Sequence, residues 1–344
     1  MRLPTIAALL LAGAGLASAQ ATGTIDEGPF PEDLNGSNFT YPHPVKLFRF
    51  SSQLRDLEMA FMDVPPSPAS APNGRTAVLL HGKNFCGATW EETIRVLSGS
   101  GFRVVAPDQV GFCKSSKPAG YQFSLSQLAW NTRGLLATLG VDAASTTVMG
   151  HSMGGMLAAR YGMQYRDGAR ELVMVNAIGM EDYVGEGVPY IGLEESAASE
   201  AASTYDSIRA YEQEMYYVGE WRDEYDVWVN MLLGVYYGSQ RDAFVDAQAR
   251  VVDMVLTQPV ANSFGLIEVP TLLMVGEKDK TAIGSQWSPP DVQARLGHFD
   301  VLGPQVQDAL QDGHLVTFPN LGHAPHISQP DEFHQQLLAW LNRS

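Results

Sequence analysis

The chain has 344 residues and 45% hydrophobic content, enough for one large α/β domain carrying an insertion, or for two domains. Its formal net charge of −16 disfavours nucleic acid and anionic lipid as partners and suits neutral or cationic small-molecule ligands. Two cysteines, Cys86 and Cys113, permit one disulfide if the protein is exported.

Residues 1–20 carry one positive charge, Arg2, then an apolar run over 6–16 and an Ala17-Ser18-Ala19 cleavage pattern. This reads as a signal peptide. The run is too short for a spanning helix, which needs about 20 apolar residues. The mature protein is expected to be soluble, outside any membrane, and secreted or periplasmic. Asn35, Asn38 and Asn342 each open an Asn-x-Ser/Thr pattern, which has meaning only in a eukaryotic source. Residues 21–44 are polar, rich in Gly, Pro and Asn, and without period, so an irregular surface arm is expected.

From residue 45 the text is β-prone, with strands expected at 46–50 and 57–64, antiparallel across a turn at 51–53. A Pro-rich loop follows at 65–74. Residues 76–80, Thr-Ala-Val-Leu-Leu, form a continuous apolar run of the kind buried on both faces, and His81-Gly82-Lys83-Asn84 comes directly after. A helix is expected near 90–98, a strand at 101–108 and an amphipathic helix over 124–139. Strand–helix alternation continues through 146–149 and 171–178, which makes a mostly parallel sheet with helices on both faces.

At about Glu181 the pattern breaks. Residues 181–268 hold 17 acids against four Arg and no Lys, together with nine of the 13 Tyr. Helical pieces are expected at 201–217, 221–233 and 241–255. An insertion of this kind between two core strands reads as a helical cap, placed after the sixth strand. Core text resumes at 269–276 and 314–318, and an amphipathic helix over 330–341 closes the chain. The domain plan is therefore a signal peptide (1–20), an arm (21–44), a core (45–180 and 269–344) and a cap (181–268).

The chemistry is concentrated in Gly150-His151-Ser152-Met153-Gly154-Gly155, entered by an apolar strand and left by a small-residue helix. Gly-x-Ser-x-Gly in that setting is a nucleophile elbow, a turn so sharp that the serine is thrust out and its flanking positions must be small. A serine hydroxyl is a poor nucleophile at neutral pH, so it needs a base and a group that orients the base. His323, after the last apolar run and just behind Gly322, is the expected base, with His326 its competitor. Asp279, on the loop leaving 272–275, is the expected acid, with Glu277 the near alternative and Asp182 a third. The expected oxyanion donors are the backbone N–H groups of Met153 and of Lys83, or of Asn84 in its place, each worth about 2.7–4 kcal/mol in a preorganised hole.

Taken in order, His81-Gly82, Pro107-Asp108-Gln109-Val110-Gly111-Phe112, the elbow, Gly276-Glu277-Lys278-Asp279 and Gly322-His323 resemble the landmarks of the α/β-hydrolase superfamily, from about residue 45 to the C-terminus. The resemblance implies an α/β-hydrolase fold and a capped, esterase-like serine hydrolase without metal or other cofactor. Residues 108–118 also resemble haloalkane dehalogenases and epoxide hydrolases, but those carry a carboxylate at the elbow where this chain has Ser152. In the implied fold the loops bearing Cys86 and Cys113 leave neighbouring strands at one sheet edge, so a disulfide there would stiffen the oxyanion loop. Tyr216, Tyr217 and Trp221 of the cap are expected to contact substrate, a small to medium neutral ester or lactone. Amidase or aminopeptidase chemistry and carbon–carbon hydrolysis are the alternatives on the same fold. A silent binding protein is the alternative from another class.

Overall fold

The computed structural model describes residues 21–343. The expected signal peptide lies outside them. Nine strands form one sheet: β1 (Gly23–Asp26), β2 (Val45–Ser52), β3 (Arg55–Val64), β4 (Thr76–Leu80), β5 (Arg103–Pro107), β6 (Thr146–His151), β7 (Glu171–Val175), β8 (Thr271–Gly276) and β9 (Gly313–Phe318). Their spatial order is β1-β2-β3-β5-β4-β6-β7-β8-β9. The first three strands and the β3–β5 contact are antiparallel, and every later pairing is parallel.

The continuous apolar runs have the cause expected of them. Along β4, Val78 and Leu80 face one hydrophobic cluster, while Ala77 and Leu79 face the other across the sheet. The same alternation divides Met174 from Val173 and Val175 on β7, and Leu273 and Val275 from Leu272 and Met274 on β8. Helices cover both faces, so these strands need no polar side. They are α1 (Glu91–Gly99), α2 (Leu125–Thr138) and α3 (Met153–Gln164), then α4 (Leu193–Ala201), α5 (Tyr205–Met215), α6 (Asp226–Tyr236) and α7 (Arg241–Thr257), then α8 (Pro290–Gln293), α9 (Phe299–Ala309), α10 (Pro325–Ser328) and α11 (Pro330–Leu341). Ser124 starts α2 as an N-cap, its side chain accepting from the Gln127 N–H at 3.0 Å.

Two expectations are corrected at the N-terminal edge. The arm is not wholly irregular, because Gly23–Asp26 pairs in antiparallel register with β2, Gly23 opposite Phe50. Four residues that begin with glycine are too short to show a period, and the open edge of β2 recruits them. The insertion consequently follows the seventh strand in the chain, not the sixth. The rest of the arm is fastened by two lysines: Lys114 Nζ donates to Ser37 O at 3.0 Å and Lys117 Nζ to Asn35 O at 2.7 Å.

Between β7 and β8 the insertion holds α4 to α7. Ile208, Val229, Leu232, Val235, Tyr236, Phe244 and Val245 give it a hydrophobic cluster of its own. Helix α4 was absent from the expectation because its sequence, LEESAASEA, has no apolar stripe.

Candidate active site

Steric crowding dictates the elbow. A Cβ on Gly150 would lie 1.9 Å from Gly154 O, and one on Gly154 would lie 2.0 Å from Leu80 O, so the turn closes only with glycine at both. Ser152 takes φ 56°, in the left-handed region, and its backbone is held there from both sides. Its N–H donates to Val175 O at 3.0 Å, and its carbonyl accepts from Ile178 N at 3.2 Å. Helix α3 begins at the next residue, and the Ser152 side chain makes no cap to it, so the hydroxyl is not spent on the helix end. The Met153 N–H therefore stands at the positive end of α3.

Opposite the elbow, His323 Nδ1 donates to Asp279 Oδ2 at 2.6 Å, with both side chains almost completely buried. Asp279 is over-determined: Thr281 N donates to Oδ1 and Asn176 Nδ2 to Oδ2, each at 2.8 Å. Asn176 itself sits at φ 39° just past β7, and its Oδ1 accepts the Gly276 N–H at 3.0 Å. The His323 backbone is anchored as well. Its carbonyl accepts from His151 Nε2 at 2.7 Å, and its N–H donates to Met215 O, at the end of cap helix α5, at 3.0 Å. With Nδ1 committed to Asp279, Nε2 is the ring atom left for exchange with a hydroxyl.

The competing residues lie elsewhere. His326 is buried with its ring 4.7 Å from Trp90, and burial among neighbouring histidines pushes it down to about 3, so it stays neutral. Asp182 accepts from Gly185 N within its own turn. Glu277 has no hydrogen bond to His323 among the described residues.

The loop after β4 completes the constellation. Gly82 lies against the elbow, where an added Cβ would come within 3.0 Å of Ser152 Cβ. His81 fixes the turn: Nδ1 donates to Gly82 O at 2.8 Å, and Nε2 accepts the Gln109 N–H at 3.0 Å. Burial holds its imidazole below the ordinary range, which suits that neutral tautomer. Cys86 and Cys113 form a disulfide with Cα atoms 5.8 Å apart. Beside it Asp108 accepts from Gly87 N at 2.7 Å, Lys114 N at 3.0 Å and the Tyr41 hydroxyl at 2.6 Å. The loop bearing Lys83 is thus stitched to the loop after β5 at three levels.

Lys83 and Asn84 also border a cavity of about 190 Å³ that opens toward the cap, with Ile208, Tyr211, Leu232, Tyr236 and Trp287 in its wall. Ser152, Met153 and His323 are not part of its lining. Of the expected cap contacts, Tyr217 stacks on Tyr225 with ring centroids 3.7 Å apart and meets the Trp221 edge at 5.7 Å, and neither Tyr217 nor Trp221 lines this cavity. Tyr216 is also outside the lining, but its ring is 5.1 Å from His323 and its hydroxyl accepts from Asn84 Nδ2 at 3.0 Å. Tyrosine density in the insertion says nothing about which rings face which neighbours. Sequence reasoning also missed Asn176, the polar residue that follows the apolar run 172–175.

Residues 77–336 match the alpha/beta hydrolase family profile. The chain belongs to that family. A solved structure of a probable hydrolytic enzyme from Pseudomonas aeruginosa PAO1 superposes with a TM-score of 0.87 at 47% identity, covering 90% of this chain and 99% of that one. Lipase 1 of Psychrobacter immobilis is 23% identical over 300 residues, 83% of this chain and 85% of the lipase. An enol-lactonase from Burkholderia xenovorans LB400, at 17% identity and a TM-score of 0.60, shares the fold over 83% of this chain and 97% of its own. The first curated relatives match over 110 residues, 31% of their length.

Proposed function

We propose that this alpha/beta hydrolase is an exported serine hydrolase that cleaves a small, neutral, moderately hydrophobic carboxylic ester or lactone. The observation that carries the reading is the convergence of an uncapped Ser152 hydroxyl, on a glycine-enforced elbow, with a His323–Asp279 pair whose backbone is tied to the residue preceding that serine. In this reading Ser152 attacks the carbonyl carbon, and His323 Nε2 takes the hydroxyl proton. Asp279 holds the ring in one tautomer and stabilises its protonated form. The N–H groups of Met153 and Lys83 receive the oxyanion. His323 returns the proton to the leaving alcohol, and water then repeats the sequence on the acyl-enzyme.

Size and charge support the substrate class. An apolar cavity of 150 Å³ holds benzene, so about 190 Å³ suits an acyl or alcohol group of comparable size. Lys83, the cation on the wall, is neutralised by Glu200 at 2.7 Å, which removes the attraction a carboxylate substrate would need. A panel of p-nitrophenyl esters from acetate to palmitate, with simple lactones, is expected to peak at short chains. Ser152→Ala is expected to abolish turnover and fluorophosphonate labelling. Undiminished turnover by Ser152→Ala would refute the mechanism, and a peak at long chains would refute the substrate class. Export rests on residues 1–20 and on a disulfide that suits an oxidising compartment. N-terminal sequencing of protein recovered from outside the cytoplasm, expected to begin near residue 20, tests it.

A further inference from the structure

Lys83 and Asn84 are unusual in where their side chains go. Both belong to the core loop after β4, and both reach out of the core into the cap. Lys83 Nζ pairs with Glu200 of α4 at 2.7 Å, and Asn84 Nδ2 donates to the Tyr216 hydroxyl just past α5 at 3.0 Å. The other oxygen of Glu200 accepts from the Tyr236 hydroxyl of α6. Each side chain of the ion pair is only 12% exposed.

Helix propensity does not explain an acid at this point. Glu200 is the penultimate residue of α4, where the negative end of the helix dipole disfavours a carboxylate, and α4 already carries Glu194 and Glu195 in its first turn, where acids belong. Nor does stability require the pair, since partly buried ion pairs gain little once desolvation is counted. What the pair does fix is register. It joins the segment carrying the Lys83 N–H to two cap helices at one carboxylate, on the wall of the cavity.

We propose that Glu200 is a positioning residue for hydrolysis: through Lys83 it sets the backbone of the oxyanion loop and so couples seating of the cap to stabilisation of the transition state. The proposal rests on the serine-hydrolase reading. Glu200 touches no reacting atom. Its effect belongs on the transition state, because the Lys83 N–H meets full negative charge only there.

The test compares wild type, Glu200→Gln, Lys83→Met and the double variant on p-nitrophenyl acetate, with circular dichroism and thermal melting as controls for folding. Loss of one oxyanion donor costs about 10²–10³ in kcat, so misplacing it is expected to cost about tenfold. Both single variants should lose that factor in kcat and kcat/KM alike, with KM within about twofold of wild type. The double variant should be no worse than the poorer single, because both remove one linkage. Fluorophosphonate labelling of Ser152 should slow by a similar factor. Lys83→Arg, which keeps the charge, should recover most of kcat. If Glu200→Gln does not fold, Glu200→Asp carries the test with an intermediate loss.

Unchanged kcat with only KM or melting temperature altered makes the pair a cap brace and overturns the proposal, as do additive losses in the double variant. Those results leave Ser152-dependent wild-type turnover standing. Wild-type turnover that survives Ser152→Ala would overturn the hydrolase reading and this proposal together.

Discussion

His151, the residue before Ser152, donates from Nε2 to the backbone carbonyl of His323 at 2.7 Å. The strand that ends at His151, next to the nucleophile of the proposed mechanism, therefore also holds the loop that carries His323, its base. Burial, with His326 and His323 nearby, pushes its pKa well below the ordinary histidine range, so the ring is neutral and makes this bond as its Nε2–H tautomer. His151→Gln, which can still present an N–H, is expected to keep most activity. His151→Phe, which cannot, is expected to lower kcat by about tenfold, because a base displaced by a fraction of an ångström loses its attack geometry. Steady-state kinetics on p-nitrophenyl acetate decides it; equal activity in the two variants would mean that the bond is incidental.

Asn176 links two loops through one amide, donating to Asp279 Oδ2 at 2.8 Å and accepting from Gly276 N at 3.0 Å. Asn176→Ala should leave an Asp279 oxygen short of a donor and lower kcat by roughly tenfold, in keeping with the loss of a charge-assisted hydrogen bond. Asn176→Asp should do worse, since it sets a second carboxylate against the first in a buried site. A kcat series over pH 5–9 for both variants checks the order.

The fold was legible because its parallel strands are apolar on both faces, and only such strands read as unbroken runs like 76–80 and 271–275. The elbow was legible because steric crowding at Gly150 and Gly154 permits nothing else. Elements held by their neighbours left no trace in the sequence. Strand β1 exists because β2 offers an edge, and α4 packs against α7 and carries Glu200. Asn176 was hidden for a related reason. Its work is done across 103 residues of chain separation from Asp279, which no local pattern can show. The cap aromatics are a different case, since composition gives their number and only packing gives their direction.

The Cys86–Cys113 disulfide closes a segment with a sequence separation of 27, and the chain-entropy estimate for such a loop is about 3.5 kcal/mol. Replacing both cysteines by serine, or treating the protein with a reductant, should lower the melting temperature by roughly that loss of stability. Activity should fall with it, because Cys86 lies three residues past Lys83 and the disulfide holds that loop against the one after β5. A double variant that melts with wild type but loses activity would assign the disulfide to the loop alone. One that melts lower with activity intact would assign it to the scaffold alone.

Glu212 stands at an apolar position of α5, one turn past Ile208 on the buried face of the helix, 1% exposed, with neither carboxylate oxygen hydrogen-bonded. Burial pushes its pKa up to about 8, so it is protonated in the folded protein at neutral pH. At pH values below the ordinary glutamate range, folded and unfolded chains both hold the proton and the group costs nothing on ionisation. From that range up to about 8 the unfolded chain ionises while the folded one does not, so stability falls as pH rises through this window and levels off above it. Glu212→Gln removes the titration and keeps the shape. It should melt close to wild type near pH 4 and be more stable at pH 8, because only the wild-type unfolded chain gains from ionising a carboxyl that the folded protein keeps protonated. Because Met215, three residues on, accepts the His323 N–H, wild-type activity should also fall above about pH 8 more steeply than that of the variant. Thermal melts of the two proteins from pH 4 to 9 measure the difference directly, and parallel curves would mean that Glu212 finds a partner for its charge.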